Sequence, residues 1–117
     1  MIVGIGIDVV DLERFSRTLE HTPSLRERLF TETERDLPVA SLAARFAAKE
    51  ATIKAFGGPV GTWHDVWIET RESGQPVLQF GGQALALAGE RAVTSAHVSL
   101  SHDGAVATAI VILESVA

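Results

Sequence analysis

The 117-residue sequence contains no cysteine, which excludes disulfides, thiolate metal sites and cysteine nucleophiles and points to a reducing compartment. It has no apolar run of the ~18 to 20 residues that a membrane span needs. Asp8 interrupts the N-terminal apolar stretch where a signal peptide would continue its core. A cytoplasmic location without membrane contact is therefore expected. Lys and Arg number 10 against 15 Asp and Glu, a formal charge of −5. General nucleic-acid binding requires a positive field and is not expected, so any anionic partner must meet a local patch. There is no internal repeat, low-complexity tract or linker. With 46% apolar residues, 1–117 reads as a single domain able to bury its own core without a metal or disulfide to fold it.

What is present centres on Arg45 to Phe56, closed by Gly57-Gly58-Pro59. Seven of the residues from Leu42 to Phe56 are Ala or Leu, Ser41 is the expected N-cap, and Gly-Gly-Pro supplies a left-handed residue and a breaker, so a helix from about Ala40 is predicted. At helical spacing Phe46, Glu50 and Lys54 form one stripe, Leu42, Ile53 and Phe56 lie toward the core, and the alanines permit close packing. Glu50 and Lys54 alone read either as a surface pair of about 0.3 to 0.5 kcal/mol or as part of a site.

Met1 to Val10 reads as a buried strand with Val3, Ile5, Ile7 and Val9 on one face and Gly4, Gly6 and Asp8 on the other. Two side-chain-free positions imply that a helix or a ligand approaches the backbone there. The Gly-x-Gly lacks the third glycine and following helix of a dinucleotide fingerprint. Asp8 must be hydrogen-bonded, paired or metal-bound, because a bare buried carboxylate costs several kcal/mol. Asp11 is the expected cap of a helix to about Glu20, with Leu12, Phe15 and Leu19 inward and Arg14, Arg17 and His21 on an outer stripe. A short helix over 25–30 adds Arg26 and Arg28 nearby, and Thr31 to Glu34 reads as a further N-cap before a tight connection through Pro38.

Beyond Pro59, Val66–Thr70 and Val77–Phe80 predict an antiparallel hairpin whose edge Trp63 and Trp67 cover. Residues 82–91 predict a fourth helix. Ala96–Ser101 and Ala105–Leu113 predict a second hairpin, turning through His102-Asp103-Gly104. The last strand is apolar on both faces, which implies cover by helices or by another subunit. Ser101 beside His102 does not make a serine hydrolase: strand neighbours face opposite ways and no Gly-x-Ser-x-Gly elbow exists. The pair reads as a turn or as donors to a phosphate.

Gly4-Ile5-Gly6-Ile7-Asp8, then Arg45-Phe46-Ala47-Ala48-Lys49-Glu50-Ala51 with Lys54-Ala55-Phe56-Gly57, then His97-Val98-Ser99-Leu100-Ser101-His102 resemble, in order, three motifs of the holo-acyl-carrier-protein synthases, small 4'-phosphopantetheinyl transferases. The resemblance covers essentially the whole chain. It implies an α+β fold in the order β-ααα-ββ-α-ββ, with a mostly antiparallel sheet, helices packed on it, and homotrimers with sites between subunits. It also implies transfer of the 4'-phosphopantetheine arm of coenzyme A to a serine of an acyl carrier protein in fatty acid biosynthesis, releasing 3',5'-bisphosphoadenosine.

By the same resemblance Asp8 and Glu50 hold Mg²⁺, and with Lys54 form the catalytic group. Arg45, Lys49, Lys54, Gly57, Pro76, Ser101 and His102 contact coenzyme A. Because the chain is itself acidic, an acidic carrier must meet a short-range positive patch, for which Arg14 and Arg17, one turn apart, with Arg26 and Arg28 on the next short helix, are the expected residues. Two carboxylates with phosphate and water completing the shell suit Mg²⁺. The serine proton goes to Glu50 or to a water on the metal, and the sequence does not choose. Two rivals use the same residues differently: a metal-dependent nucleotide pyrophosphohydrolase, with water as acceptor, and a noncatalytic trimeric binding module.

Overall fold

Glycines at alternate positions of the first strand decide the layout. In the computed structural model, which describes residues 1–116, strand β1 (Ile2–Asp11) lies directly against the long helix α3 (Val39–Phe56). A Cβ on Gly4 would stand 2.1 Å from the Ala55 carbonyl oxygen, and one on Gly6 1.8 Å from that of Ala51. Backbone rests on backbone, which only glycine against an alanine-rich helix allows. What approaches the bare strand face is thus the helix.

Between them run α1 (Leu12–His21) and α2 (Leu25–Leu29); after α3 come a 3-10 turn (Trp63–Asp65), the hairpin β2 (Val66–Thr70) and β3 (Pro76–Phe80), helix α4 (Gly82–Glu90), and the hairpin β4 (Ser95–Asp103) and β5 (Val106–Glu114). The architecture is α+β with antiparallel sheets: β1-β5-β4 forms one, β2-β3 another. Strand β5 is central and sets Asp8 opposite Ala109, itself opposite Leu100. Among the described residues, no helix is long and apolar enough to cross a membrane.

The strand faces correct the sequence reading of β1 as buried. Its glycine face is covered by α3, whereas Val3, Ile5, Ile7 and Val9 are 42%, 58%, 59% and 58% exposed. On β5, Ala107, Ala109, Val111 and Leu113 are buried beneath the helix, while Ile110 and Ile112 on the other face are half-buried. One side of the three-stranded sheet is therefore dry within the chain, and the other presents aliphatic side chains outward.

Local chemistry explains the element ends. The Asp11 carboxylate accepts from the Arg14 amide at 2.8 Å and caps α1. Helix α3 starts at Val39, two residues before the expected Ser41 cap, because Pro38 holds φ at −58° and its carbonyl already accepts the Leu42 amide. It ends on Gly57 in the left-handed region, φ 79°, with the Gly58 amide bonded to the Ile53 carbonyl. The β4–β5 ladder continues to Asp103 and Val106, so the turn is Gly104-Ala105 and not His102 to Gly104; Gly104, at φ 55°, supplies the bend. Ser101 and His102 thus lie within β4, on opposite faces.

Trp63 and Trp67 also part company. The Trp63 ring packs on Phe46 with centroids 5.6 Å apart, away from the hairpin edge, and Trp67 donates its indole N–H to Glu69. Residues 31–34 form a turn, not a helix cap: the Glu34 carboxylate accepts the Thr31 amide and is buried.

Candidate active site

Asp8 projects from the glycine face of β1 beside the middle of α3. Lys54 reaches across from the helix, its ammonium 3.1 Å from the Asp8 carboxylate and 2.9 Å from the Ile7 carbonyl oxygen. Lys54 therefore pairs with the strand and not with Glu50, its neighbour one turn away. The Glu50 carboxylate accepts no hydrogen bond from any described residue. Burial first, and then the negative charge of Asp8, push its pKa above the ordinary carboxylate value, with Lys54 pulling the other way. A like-charge pair held at half-burial is stabilised by a cation.

These carboxylates stand at one end of a cleft of about 590 Å³ enclosed by β1, α1, α2, α3 and the 3-10 turn. Arg14 and Arg28 line it, and Phe15, Leu25, Leu29, Phe46 and Trp63 supply apolar walls. Phe46 stacks on Phe15 at 5.4 Å and touches Trp63 on its other side. An acidic, metal-compatible end, flanking guanidinium groups and an aromatic wall suit a ligand with a charged head and a slender arm.

A family model described as the 4'-phosphopantetheinyl transferase superfamily matches residues 4–111. The chain belongs to that superfamily. This phosphopantetheinyl transferase is 57% identical over 115 residues to the holo-[acyl-carrier-protein] synthase of Leifsonia xyli subsp. xyli, covering 97% of this chain and 98% of the relative. The crystal structure of the holo-[acyl-carrier-protein] synthase from Neisseria meningitidis superposes with a TM-score of 0.90 at 30% identity, covering 98% of this chain and all of that one. That from Bacillus anthracis, in complex with CoA (3',5'-ADP), superposes with a TM-score of 0.80 at 35% identity, covering 98% of each.

Within one chain of the transferase the residues singled out from sequence divide into three groups. Asp8, Glu50 and Lys54 come together, with Arg14 and Arg28 lining the same cleft. Arg17 points outward, paired with Glu13 at 3.0 Å, and Arg26 is turned inward, donating to the Arg35 carbonyl at 2.9 Å. Arg26 is thus not part of an arginine cluster at the surface. The third group does not converge on the cleft. Arg45 faces the β2–β3 hairpin and donates to Thr70; Gly57 closes α3, Pro76 opens β3, and Ser101 and His102 lie within β4 just before its last residue, Asp103.

Lys49 requires correction. Its side chain is 1% exposed and its ammonium is held by Glu34 at 3.1 Å and by the Trp63 and Val66 carbonyls, so no donor is left for coenzyme A. Glu34 and the aromatic wall were not found from sequence. An amphipathic-looking Glu in a Thr-rich turn carries no signal of burial; Phe46 and Trp63 carry one only when read together, 17 positions apart.

Proposed function

We propose that the transferase moves the 4'-phosphopantetheine arm of coenzyme A to a serine hydroxyl of an acyl carrier protein, with Mg²⁺ as cofactor, releasing 3',5'-bisphosphoadenosine. The observation that carries this reading is the Asp8–Glu50 pair at the end of a cleft lined by arginines and aromatics, in a chain closely similar to holo-[acyl-carrier-protein] synthases. The donor set fits Mg²⁺: two carboxylates, one lacking any hydrogen-bonded partner among the described residues, leave the remaining positions to phosphate and water. No third acidic or His side chain joins them among the described residues. When bound, the ion neutralises charge on the pyrophosphate.

The chain's own groups do the rest. The carrier serine oxygen bonds to the phosphorus bearing pantetheine, the bond from that phosphorus to the bridging oxygen breaks, and the pair of electrons leaves on 3',5'-bisphosphoadenosine. Glu50 lines the cleft, and either it or a water of the site takes the serine proton. Lys54 balances Asp8 and places positive charge at the phosphate end. Arg14 stands between cleft and surface, where acidic carrier helices dock.

The remaining coenzyme contacts, at Arg45, Gly57, Pro76, Ser101 and His102, lie outside this cleft. Their dispersal supports a homotrimer in which the sites form between subunits.

The deciding experiment is the mass of an apo acyl carrier protein incubated with the transferase, coenzyme A and Mg²⁺. Gain of one phosphopantetheine supports the reading; coenzyme A cleaved with the carrier unchanged would mean a pyrophosphohydrolase, and neither change a binding module. Asp8→Ala and Glu50→Ala should each lower turnover by about 10²- to 10³-fold with the circular dichroism spectrum retained. Near-native turnover in both would reject the site.

A further inference from the structure

We propose that Glu34 and Lys49 are positioning residues that set the place of Trp63, the indole wall of the cleft, and thereby the fit of the substrate's arm; the substrate named here rests on the function proposed above. Helix α3 presents two stripes. Phe46 and Glu50 face the cleft, whereas Arg45 and Lys49, one residue before each and about 100° around the helix, face the β2–β3 hairpin. The Lys49 ammonium lies beneath the 3-10 turn and donates to the Trp63 carbonyl at 3.0 Å and to the Val66 carbonyl.

Glu34 completes the bolt from the other side. One oxygen meets Lys49 at 3.1 Å and the Thr31 amide at 3.1 Å, and the other accepts the Ile68 amide of β2 at 3.0 Å. Both side chains are 1% exposed. Four separate pieces of chain, the turn at 31–34, α3, the 3-10 turn and β2, meet at this one ion pair. Apolar side chains alone would pack these pieces without fixing their register, whereas directed bonds to two carbonyls and an edge amide do fix it.

The place of Trp63 matters because the residue borders more than one space. It lines the cleft with Phe46 and Glu50, and it also lines a cavity of about 250 Å³ that reaches Lys49, Ile53 and Val60. A shift of the turn that carries Trp63 would open the cleft into that cavity and loosen the fit of a slender arm. It would leave Asp8, Glu50 and Lys54 where they are, since these are held by β1 and α3.

The test uses the full chain with Trp67→Phe, so that Trp63 is the only one of the two tryptophans left. Lys49→Met with Glu34→Leu removes both charges together, a replacement that buried ion pairs often tolerate. The double variant is expected to melt cooperatively, to show Trp63 emission shifted to the red and more readily quenched by acrylamide, and to raise the KM for coenzyme A by about tenfold with kcat within about twofold. Trp63→Ala should give the same KM, and combining it with the double variant should add nothing further. A folded double variant with native emission and native KM would overturn the proposal. So would a native KM in Trp63→Ala, which decides the matter even if the pair variants do not fold. Absence of any transfer by the parent chain would defeat the proposed function instead, and the Trp63 emission and quenching would still judge the pair.

Discussion

Lys49 and Glu50 are adjacent, yet one is sealed in the core and the other opens on the cleft. The difference is the turn of the helix between them, and it rests on how closely α3 sits on β1. Gly6 is the sharpest probe of that distance, since a Cβ there would overlap the Ala51 carbonyl and approach the Ala55 amide at 2.9 Å. Neither atom belongs to a flexible side chain, so the helix itself must move. Gly6→Ala is therefore expected to cost at least the ~1 to 3 kcal/mol typical of overpacking and to displace Glu50 from Asp8. Chemical denaturation and the transfer assay read the two effects; a variant as stable and active as the parent would contradict this contact.

Helices α1 and α2 carry the arginines, but the fold distributes them unequally. Arg14 and Arg28 line the cleft, Arg17 extends from the outer side of α1, and Arg26 is spent on backbone carbonyls. The Arg17–Glu13 pair is exposed and contributes little to stability, which leaves Arg17 free to meet an acidic partner. Arg17→Glu should raise the KM for the carrier several-fold and leave that for coenzyme A unchanged, an effect that added salt imitates in the parent enzyme. Arg14→Glu should raise both, because it puts a third negative charge beside Asp8 and Glu50. Steady-state kinetics with each substrate varied separates the two. An unchanged KM for coenzyme A in Arg14→Glu would place the nucleotide elsewhere.

For the whole molecule, the three-stranded sheet has one face sealed by α3 and one with Val3, Ile5, Ile7 and Val9 beside Ile110 and Ile112. An aliphatic face of this kind marks an interaction surface, and closed symmetric assemblies cover such a face without leaving a free copy of it. The proposed trimer is expected to use this face. Light scattering should give about three chain masses for the parent, and Ile5→Lys with Ile7→Lys should give the mass of one, with transfer lost. An active, monodisperse parent monomer would refute both the assembly and sites shared between subunits.

From sequence alone the elements were legible, because their causes are local: the Asp11 cap, the Gly57 stop, the alanine run of α3 and the alternation of the hairpins all act within a few residues. Asp8 and Glu50 were legible too, since a carboxylate among apolar strand residues and another on an alanine-rich helix are conspicuous by type. What each side chain faces was decided only by the tertiary structure. The choice between the two faces of β1 depends on which one a helix can approach, and that is a distance of backbone to backbone that no alternation pattern encodes. Lys49 looks like a phosphate ligand until a carboxylate 15 positions earlier folds in beneath it. Its burial is a property of four segments meeting, and an ammonium in a low-dielectric interior is tolerated only where all its donors find acceptors at once.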